Sequence, residues 1–262
     1  MYFGFENISI CYEKKEIINH LTMEFEKGTI TTIIGKNGCG KSSLLKTLFG
    51  GIKFKGDINL LDYNIKKYKK KDIAKKIAYL PQMHSSPPDI DVKTLISYGR
   101  YPHKKFGHNL SKCDYDVIDR ALEYSGLLEL KDQRIETLSG GELQRAWIAM
   151  AIAQEPEILI LDEPTTYLDL CYQIEILELI KKLNDDGMTI IMVLHDLNLA
   201  SRYSSYLYAI KNKNVYKKGS PVEVITKQTL KDLFDIEANV LTDEENKCPY
   251  FIVKSKGENN EN

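Results

Sequence analysis

No charge-poor apolar run in the 262 residues approaches the roughly 20 needed to cross a bilayer. The opening MYFGFENISI lacks the basic and apolar regions of a signal peptide, so neither a membrane span nor that export route is expected. There is no Cys-x-x-Cys pair. Cys11, Cys39, Cys113, Cys171 and Cys248 are scattered and odd in number, which argues against a disulfide framework or a zinc ribbon and for a reducing compartment, the cytoplasm. With only 8 prolines and 16 glycines, a collagenous or low-complexity chain is excluded. Neither sign of charge dominates: 36 Lys and Arg face 37 Asp and Glu, a net charge of -1. No global field therefore draws the chain to nucleic acid or anionic lipid, and any such contact must be local.

What is present is ordinary globular material, 43% hydrophobic and 28% charged, so disorder is not the main state. The length exceeds the common domain size and points to one large domain, or a core carrying an inserted lobe. Charge is concentrated locally in Lys66, Lys67, Lys69, Lys70, Lys71, Lys75 and Lys76, interleaved with Tyr68, Ile73 and Ala74 as on an amphipathic helix. Such a run is either a solvated face or a contact for a polyanion or partner.

Alternating polar and apolar residues in Phe3 to Tyr12 and Ile17 to Phe25 predict half-buried antiparallel strands. Thr29 to Ile34 is β-branched throughout and reads as a buried central strand. It leads into GKNGCGKSS and a helix bearing Leu44, Leu45, Leu48 and Phe49 that stops at Gly50 and Gly51. Strands are expected at Lys55 to Leu61 and at Ile77 to Leu80, which Pro81 ends. From Val92 to Ile135 the period is helical. Glu142 to Gln154 is apolar almost all round, hence a buried helix. Strand and helix then alternate: Ile158 to Leu161 with Ile174 to Leu183, Thr189 to Leu194 with Leu197 to Tyr203, and Tyr206 to Ile210 toward a helix near Leu230 to Phe234. The expected fold is α/β: a P-loop core with a mostly parallel sheet, an N-terminal antiparallel β-subdomain and an inserted α-helical subdomain. Residues 1–254 are expected to form one domain. Within it, core and antiparallel sheet come from 1–82 and 136–254, and the helical insertion from about 83–135; the polar tail 255–262 is expected to fray.

Three strings carry chemistry. Gly35, Lys36, Asn37, Gly38, Cys39, Gly40, Lys41 and Ser42 match G-x-x-x-x-G-K-[ST] between a strand and a helix, the context the motif requires. Its glycines let successive N–H groups face a triphosphate, Lys41 supplies a point charge to the β/γ-phosphates, and Ser42 supplies an oxygen to Mg²⁺. Ile158 to Leu161 end in Asp162 and Glu163, at the edge where α/β sheets place their sites. Asp162 suits a metal and Glu163 a general base for water. In Leu138 to Arg145, Ser139 and Glu142 form a capping box, which leaves the pair Gly140 and Gly141 unexplained. Two glycines there expose N–H groups to an anion and permit close approach. A second phosphate-binding helix start is hard to use on the same nucleotide, so it suggests a site completed by another subunit.

LSGGELQR resembles the signature of ATP-binding-cassette (ABC) ATPases, and the resemblance covers nearly the whole chain. It implies Tyr12 as the adenine-stacking aromatic and Gly35, Asn37, Gly38, Cys39, Gly40, Lys41, Ser42 and Ser43 as Walker A contacts to ATP. It implies Gln82, after Tyr79-Leu80-Pro81, as the Q-loop residue that touches metal or water. Ser139, Gly140, Gly141 and Glu142 would be the signature, Asp162 the Walker B metal ligand, Glu163 the base, Asp169 the D-loop and His195 the switch histidine bonding the γ-phosphate. Ser43 stands where Thr is common, and Lys36 where Pro or Arg is common. The family implies two copies sandwiching ATP head to tail, transmembrane permease subunits driven by closure, and indirectly a substrate-binding protein. Nucleic acid is not an implied partner, and the chain would sit in the cytoplasm, peripheral on the inner face of the membrane through the permease.

The strings YGRYPH, DEPTTYLDL and VLHDLNLASRYS are similar to those of importers for iron-siderophore, haem or cobalamin, with iron(III)-siderophore the expected cargo and haem, cobalamin or another chelate the alternatives. A soluble ABC ATPase acting on ribosomes or DNA is the competing class, although those relatives usually carry two cassettes or a long inserted coiled coil. A GTPase switch lacks its Asn-Lys-x-Asp string here. Read alone, His195 is equally a helix-start residue, Tyr12 a strand aromatic and Gln82 a loop amide. His84, His103, His108 and Cys113 fit no zinc spacing and read as surface residues. Cys39, beside a helix start and Lys41, is either a thiol that Mg-ATP protects from reagents or a small residue in a variable slot.

Overall fold

A computed structural model describes residues 1–13, 15–82, 88–104 and 107–254. Two alternating stretches form β1 (Phe3–Tyr12) and β2 (Lys15–Phe25), burying Phe3, Phe5, Ile8, Ile10, Ile18, Leu21, Met23 and Phe25. β3 (Ile30–Gly35) is buried at every position and runs through the glycine turn into α1 (Lys41–Lys46). β4 (Phe54–Leu60), the short β5 (Tyr63–Asn64), α2 (Lys70–Lys76) and β6 (Ile77–Leu80) follow. The helical stretch contains α3 (Val92–Ser97) and α4 (Lys112–Tyr124), and α5 (Gly140–Ala153) comes next. Strand and helix then alternate as expected: β7 (Ile158–Asp162), α6 (Leu170–Asp185), β8 (Thr189–Val193), α7 (Leu197–Tyr203) and β9 (Tyr206–Lys211). The chain continues through β10 (Asn214–Gly219), α8 (Pro221–Val224), α9 (Lys227–Phe234), β11 (Ala238–Thr242) and β12 (Pro249–Val253).

Contacts divide the described residues into two compact units. The first comprises Met1–Phe3, Phe25–Ile30 and Ile58–Val193. In it β6, β7 and β8 run parallel, with Leu80 beside Leu161 and Asp162 beside Val193, so β7 is flanked on both sides where its two acids begin. The helices α3 and α4 pack on α5, and α5 packs on β6. Arg100 locks this packing. Only 5% of its side chain is exposed; its Nε donates to Asp114 at 2.9 Å, and its Nη1 donates to Ala153 O at 2.7 Å and to Glu155 at 2.8 Å. Its neighbour Gly99 must be glycine for a steric reason: a Cβ there would run into Met150 O on α5. The helical stretch thus shares its compact unit with the parallel strands.

The second unit comprises Gly4–Glu24, Thr31–Asp57 and the chain from Leu194 on. There β1 lies between β2 and β4, β3 pairs in parallel with β9, and β10 folds back antiparallel on β9. The hairpin of β11 and β12 clamps α7: Ser201 Oγ donates to Pro249 O at 2.5 Å and Phe251 N donates to Asn198 Oδ1 at 3.0 Å. This C-terminal hairpin was not expected from the sequence.

The lysine-rich stretch differs from the expected continuous helix. Asn64 caps a 3₁₀ turn at Ile65–Lys67, and Tyr68, extended, donates its hydroxyl to Leu60 O at 3.0 Å. The helix restarts as α2, which buries no residue. Tethering Tyr68 to β4 interrupts the helical repeat.

Candidate functional site

In the second unit the phosphate motif occupies the turn between β3 and α1. Backbone conformation explains its glycines: Gly40 sits at φ 103° as the cap of α1, and Gly38 at φ 76°. A Cβ on Gly40 would lie 2.7 Å from Ile18 Cδ1, and one on Gly35 2.7 Å from Ile210 O, so the loop is pressed against β2 and β9. Lys41 is 5% exposed and curls onto the loop, its Nζ donating to Gly35 O at 2.8 Å and Lys36 O at 3.2 Å, with Cys39 Sγ at 3.8 Å. An ammonium buried among carbonyls at the centre of a glycine turn is a ready anion partner. Ser42 and Ser43 are half-buried in the first turn of α1.

His195 follows β8 and is exposed. Asp196 caps α7, accepting from Asn198 N at 2.8 Å and Leu199 N at 2.9 Å. The helix-start role that competed for His195 therefore belongs to its neighbour. Gly35, Lys36 and Asn37 line a groove of about 480 Å³ together with Leu194, His195, Leu197, Phe234 and Ile236. The start of the phosphate loop and His195 thus share one concavity. Phe234 and Ile236, at the end of α9, are lining residues that the sequence offered no signal to find. Tyr12 ends β1 with 66% of its surface exposed, a strand aromatic open to a stacking partner.

In the first unit the two acids at the end of β7 are both buried, Asp162 at 2% and Glu163 at 9% exposure. Tyr79 on β6 donates its hydroxyl to Asp162 Oδ2 at 3.3 Å; burial, then the Asp162 charge, raises the phenol far above its usual value and keeps it a donor. Glu163 adopts left-handed backbone, φ 57°, a strain of about 1 kcal/mol or more for a side-chain-bearing residue. Its backbone is fixed by Glu163 N to Val193 O at 3.2 Å and Thr166 N to Glu163 O at 3.3 Å. Its carboxylate accepts from Gln82 Nε2 and, at 3.2 Å, from Thr166 Oγ1. Gln82 and Glu163 are therefore brought together. Tyr79 and Thr166 were not singled out from the sequence, although a polar-tipped aromatic beside an acid-terminated strand is the signal that would have found Tyr79.

The Ser139 capping box is present: Ser139 N and Oγ donate to Glu142 Oε2 at 2.8 and 2.7 Å, and Glu142 N donates back to Ser139 Oγ at 3.3 Å. These bonds hold the Glu142 carboxyl below its usual range. Gly141 gains a packing reason, since a Cβ there would strike the Tyr172 ring of α6; Gly140 has ordinary room, its nearest neighbour being Leu168 Cδ2 at 3.5 Å. Asp169 stands at the cap of α6 without making a side-chain cap bond, between exposed Tyr167 and Leu170.

Among the described residues no group of three metal-ligating side chains occurs and no helix is long and apolar enough to cross a membrane. His103 Nε2 donates to Gln154 O at 2.8 Å, His108 and Cys113 are exposed, and His84 and the tail 255–262 lie outside the described residues. The five cysteines are free.

The sequence model of the family described as ABC transporter matches residues 18–166. The iron(3+)-hydroxamate import ATP-binding protein FhuC of Bacillus subtilis is 45% identical over 97% of this chain and 96% of its own length. The ferric enterobactin transport ATP-binding protein FepC of Escherichia coli is 40% identical over 91% of this chain and 89% of its own. A solved inward-facing structure of a putative metal-chelate type ABC transporter superposes with TM-score 0.84 at 29% identity, covering 97% of this chain and 98% of that one.

Proposed function

Since this chain belongs to the ABC transporter family, among its ATP-binding subunits, we propose that it hydrolyses Mg-ATP as a head-to-tail pair and so energises import of an iron(III)-siderophore through a membrane permease. Gly35, Asn37, Gly38, Cys39, Gly40, Ser42 and Ser43 cradle the phosphates, and Lys41 exchanges its carbonyl partners for phosphate oxygens. Tyr12 stacks on the adenine. The donor set fits a hard divalent cation, because a buried carboxylate with hydroxyl and amide oxygens is the ligand type magnesium takes. Ser42, Asp162 and Gln82 would hold it, and it would supply positive charge to the phosphates. Gln82 already spends its Nε2 on Glu163, so its amide oxygen is the ligand atom that remains.

Glu163 takes the proton of the attacking water, a role worth roughly 10²- to 10⁴-fold in rate. His195 bonds the γ-phosphate and orients the site. Ser139, Gly140 and Gly141 of a second copy close over the γ-phosphate, with Glu142 fixing that helix start and Asp169 meeting the partner between Tyr167 and Leu170. The missing Cβ of Gly141 also lets Tyr172 pack close. The helical insertion at about 83–135 is the segment assigned to the permease, which keeps the subunit on the inner membrane face.

The observation that carries the reading is the Gln82 to Glu163 hydrogen bond, which ties the residue before the helical insertion to the carboxylate that activates water. Any permease-induced shift of Gln82 changes the environment of the base. For the cargo, support comes from relatives 40–45% identical that are named for iron(3+)-hydroxamate or petrobactin import and for siderophore, achromobactin or ferric enterobactin transport.

The test is purification of the tagged chain from membranes with its partners, followed by ATPase assay with binding proteins loaded in turn with ferric siderophore, haem or cobalamin. A permease and stimulation by the ferric siderophore are expected. Ribosomal or DNA-bound partners without a permease would overturn the transport reading.

A further inference from the structure

The segment with the densest charge is the one the ATPase chemistry does not use. Lys66, Lys67, Lys69, Lys70, Lys71 and Lys75 are all exposed, on a 3₁₀ turn and a helix that buries no residue. Yet the segment is no loose tail. Ile65 is buried beneath it, Tyr68 is tied to Leu60 O, and Gln154 Nε2 donates to Ala74 O and, at 2.8 Å, to Ile77 O at its far end. Lys76 is engaged by Glu157 at 2.9 Å, and Lys71 Nζ donates to Lys104 O at 2.7 Å, which anchors α2 against the turn after α3. The platform also displays aromatic rings: Tyr63 is 59% exposed with Lys67 Nζ 6.0 Å from its ring centre, and Tyr101 is exposed and stacked on Tyr98.

Acid is scarce on this platform. Residues 62–76 hold two carboxylates, and Asp62 already pairs with the N-terminal ammonium at 3.1 Å. Outside that stretch acidic side chains outnumber basic ones, so the chain is near-neutral only because its positive charge is gathered here. Exposed ammonium groups on an anchored segment beside exposed tyrosines are the chemistry of an anionic interface, where the charge meets headgroups and the rings sit at the boundary.

We propose that the platform formed by residues 63–76, flanked by Tyr101, binds the surface of an anionic phospholipid bilayer directly, as a second attachment beside the permease. The choice of lipid over another polyanion rests on the transporter reading above. Charge composition agrees with one localised anionic contact: outside residues 62–76 acidic side chains outnumber basic ones. Each lysine near an anionic surface contributes about a fivefold factor in affinity, so several acting together give salt-sensitive, reversible binding.

The experiment is flotation of the purified full-length chain with vesicles of phosphatidylcholine, with or without phosphatidylglycerol, across a salt series and without permease or ATP. Binding to the phosphatidylglycerol vesicles alone, lost at high salt, is expected. Replacing Lys67, Lys69, Lys70 and Lys75 together by Gln should weaken it more than about 100-fold, while replacing them by Arg restores it and both variants keep wild-type basal ATPase activity. Equal binding to neutral vesicles, no loss in the Gln variant, or preferential capture by competing duplex DNA would overturn the proposal. Because no permease is present, failure here leaves the transporter reading standing, and failure to find a permease leaves this result standing.

Discussion

At the residue scale, the side chains proposed for catalysis are held by bonds that must be exchanged in use. Lys41 satisfies its ammonium on Gly35 O and Lys36 O, and Glu163 satisfies its carboxylate on Gln82 and Thr166. Ligand binding therefore replaces existing hydrogen bonds rather than filling unmet ones. Lys41→Ala removes the charge together with its bonds to Gly35 O and Lys36 O, and leaves the glycines that set the turn in place. The expected outcome is unchanged folding by circular dichroism and at least about tenfold weaker ATP binding by fluorescence titration, the loss of one charge-assisted contact. Wild-type affinity would remove Lys41 from the phosphate role. Much of this was legible in the sequence, since glycine spacing and an acid-terminated strand are fixed by backbone chemistry. Tyr79 and Thr166 were not, because their roles depend on a neighbouring strand and on a turn closing back by hydrogen bonds.

At the element scale, strands and helices followed their periodicities wherever local pattern and burial agree, as in β3, β7 and α5. Agreement ended where long-range contacts decide, as β10 folding back on β9 already shows. Residues 65–76 broke into a turn and a helix because Tyr68 bonds β4, and the β11–β12 hairpin is made by packing on α7, a long-range gain that no local pattern announces. Among the helices the Arg100 to Asp114 bond is the clearest titratable lock. Hydrogen bonds from Ser111 and then the Arg100 guanidinium lower the Asp114 carboxyl from 3.8 to about 2. A depressed acid stabilises the fold at pH above its unfolded value, and that contribution fades as pH falls through the folded one. Asp114→Asn should thus cost about 2 kcal/mol at neutral pH, with the gap from wild type closing between about pH 4 and pH 2 in denaturant unfolding curves. A gap independent of pH would show that the loss is one of shape and not of charge.

At the scale of the whole molecule, a net charge of -1 conceals a division of labour. Positive charge is gathered on residues 66–76, while Tyr167 and Leu170 leave apolar surface around Asp169 and Gly140 stands open at the start of α5. Surfaces of that kind suit a second copy of the chain, and an ATP-hydrolysing pair is the central claim. Its most direct test is sedimentation of Glu163→Gln with and without Mg-ATP, alongside its turnover. The predicted result is a monomer that becomes a stable dimer only with nucleotide, with hydrolysis slowed at least about 100-fold while ATP still binds. A variant that turns over ATP at near-normal rate, or that binds ATP and stays monomeric, would contradict the account.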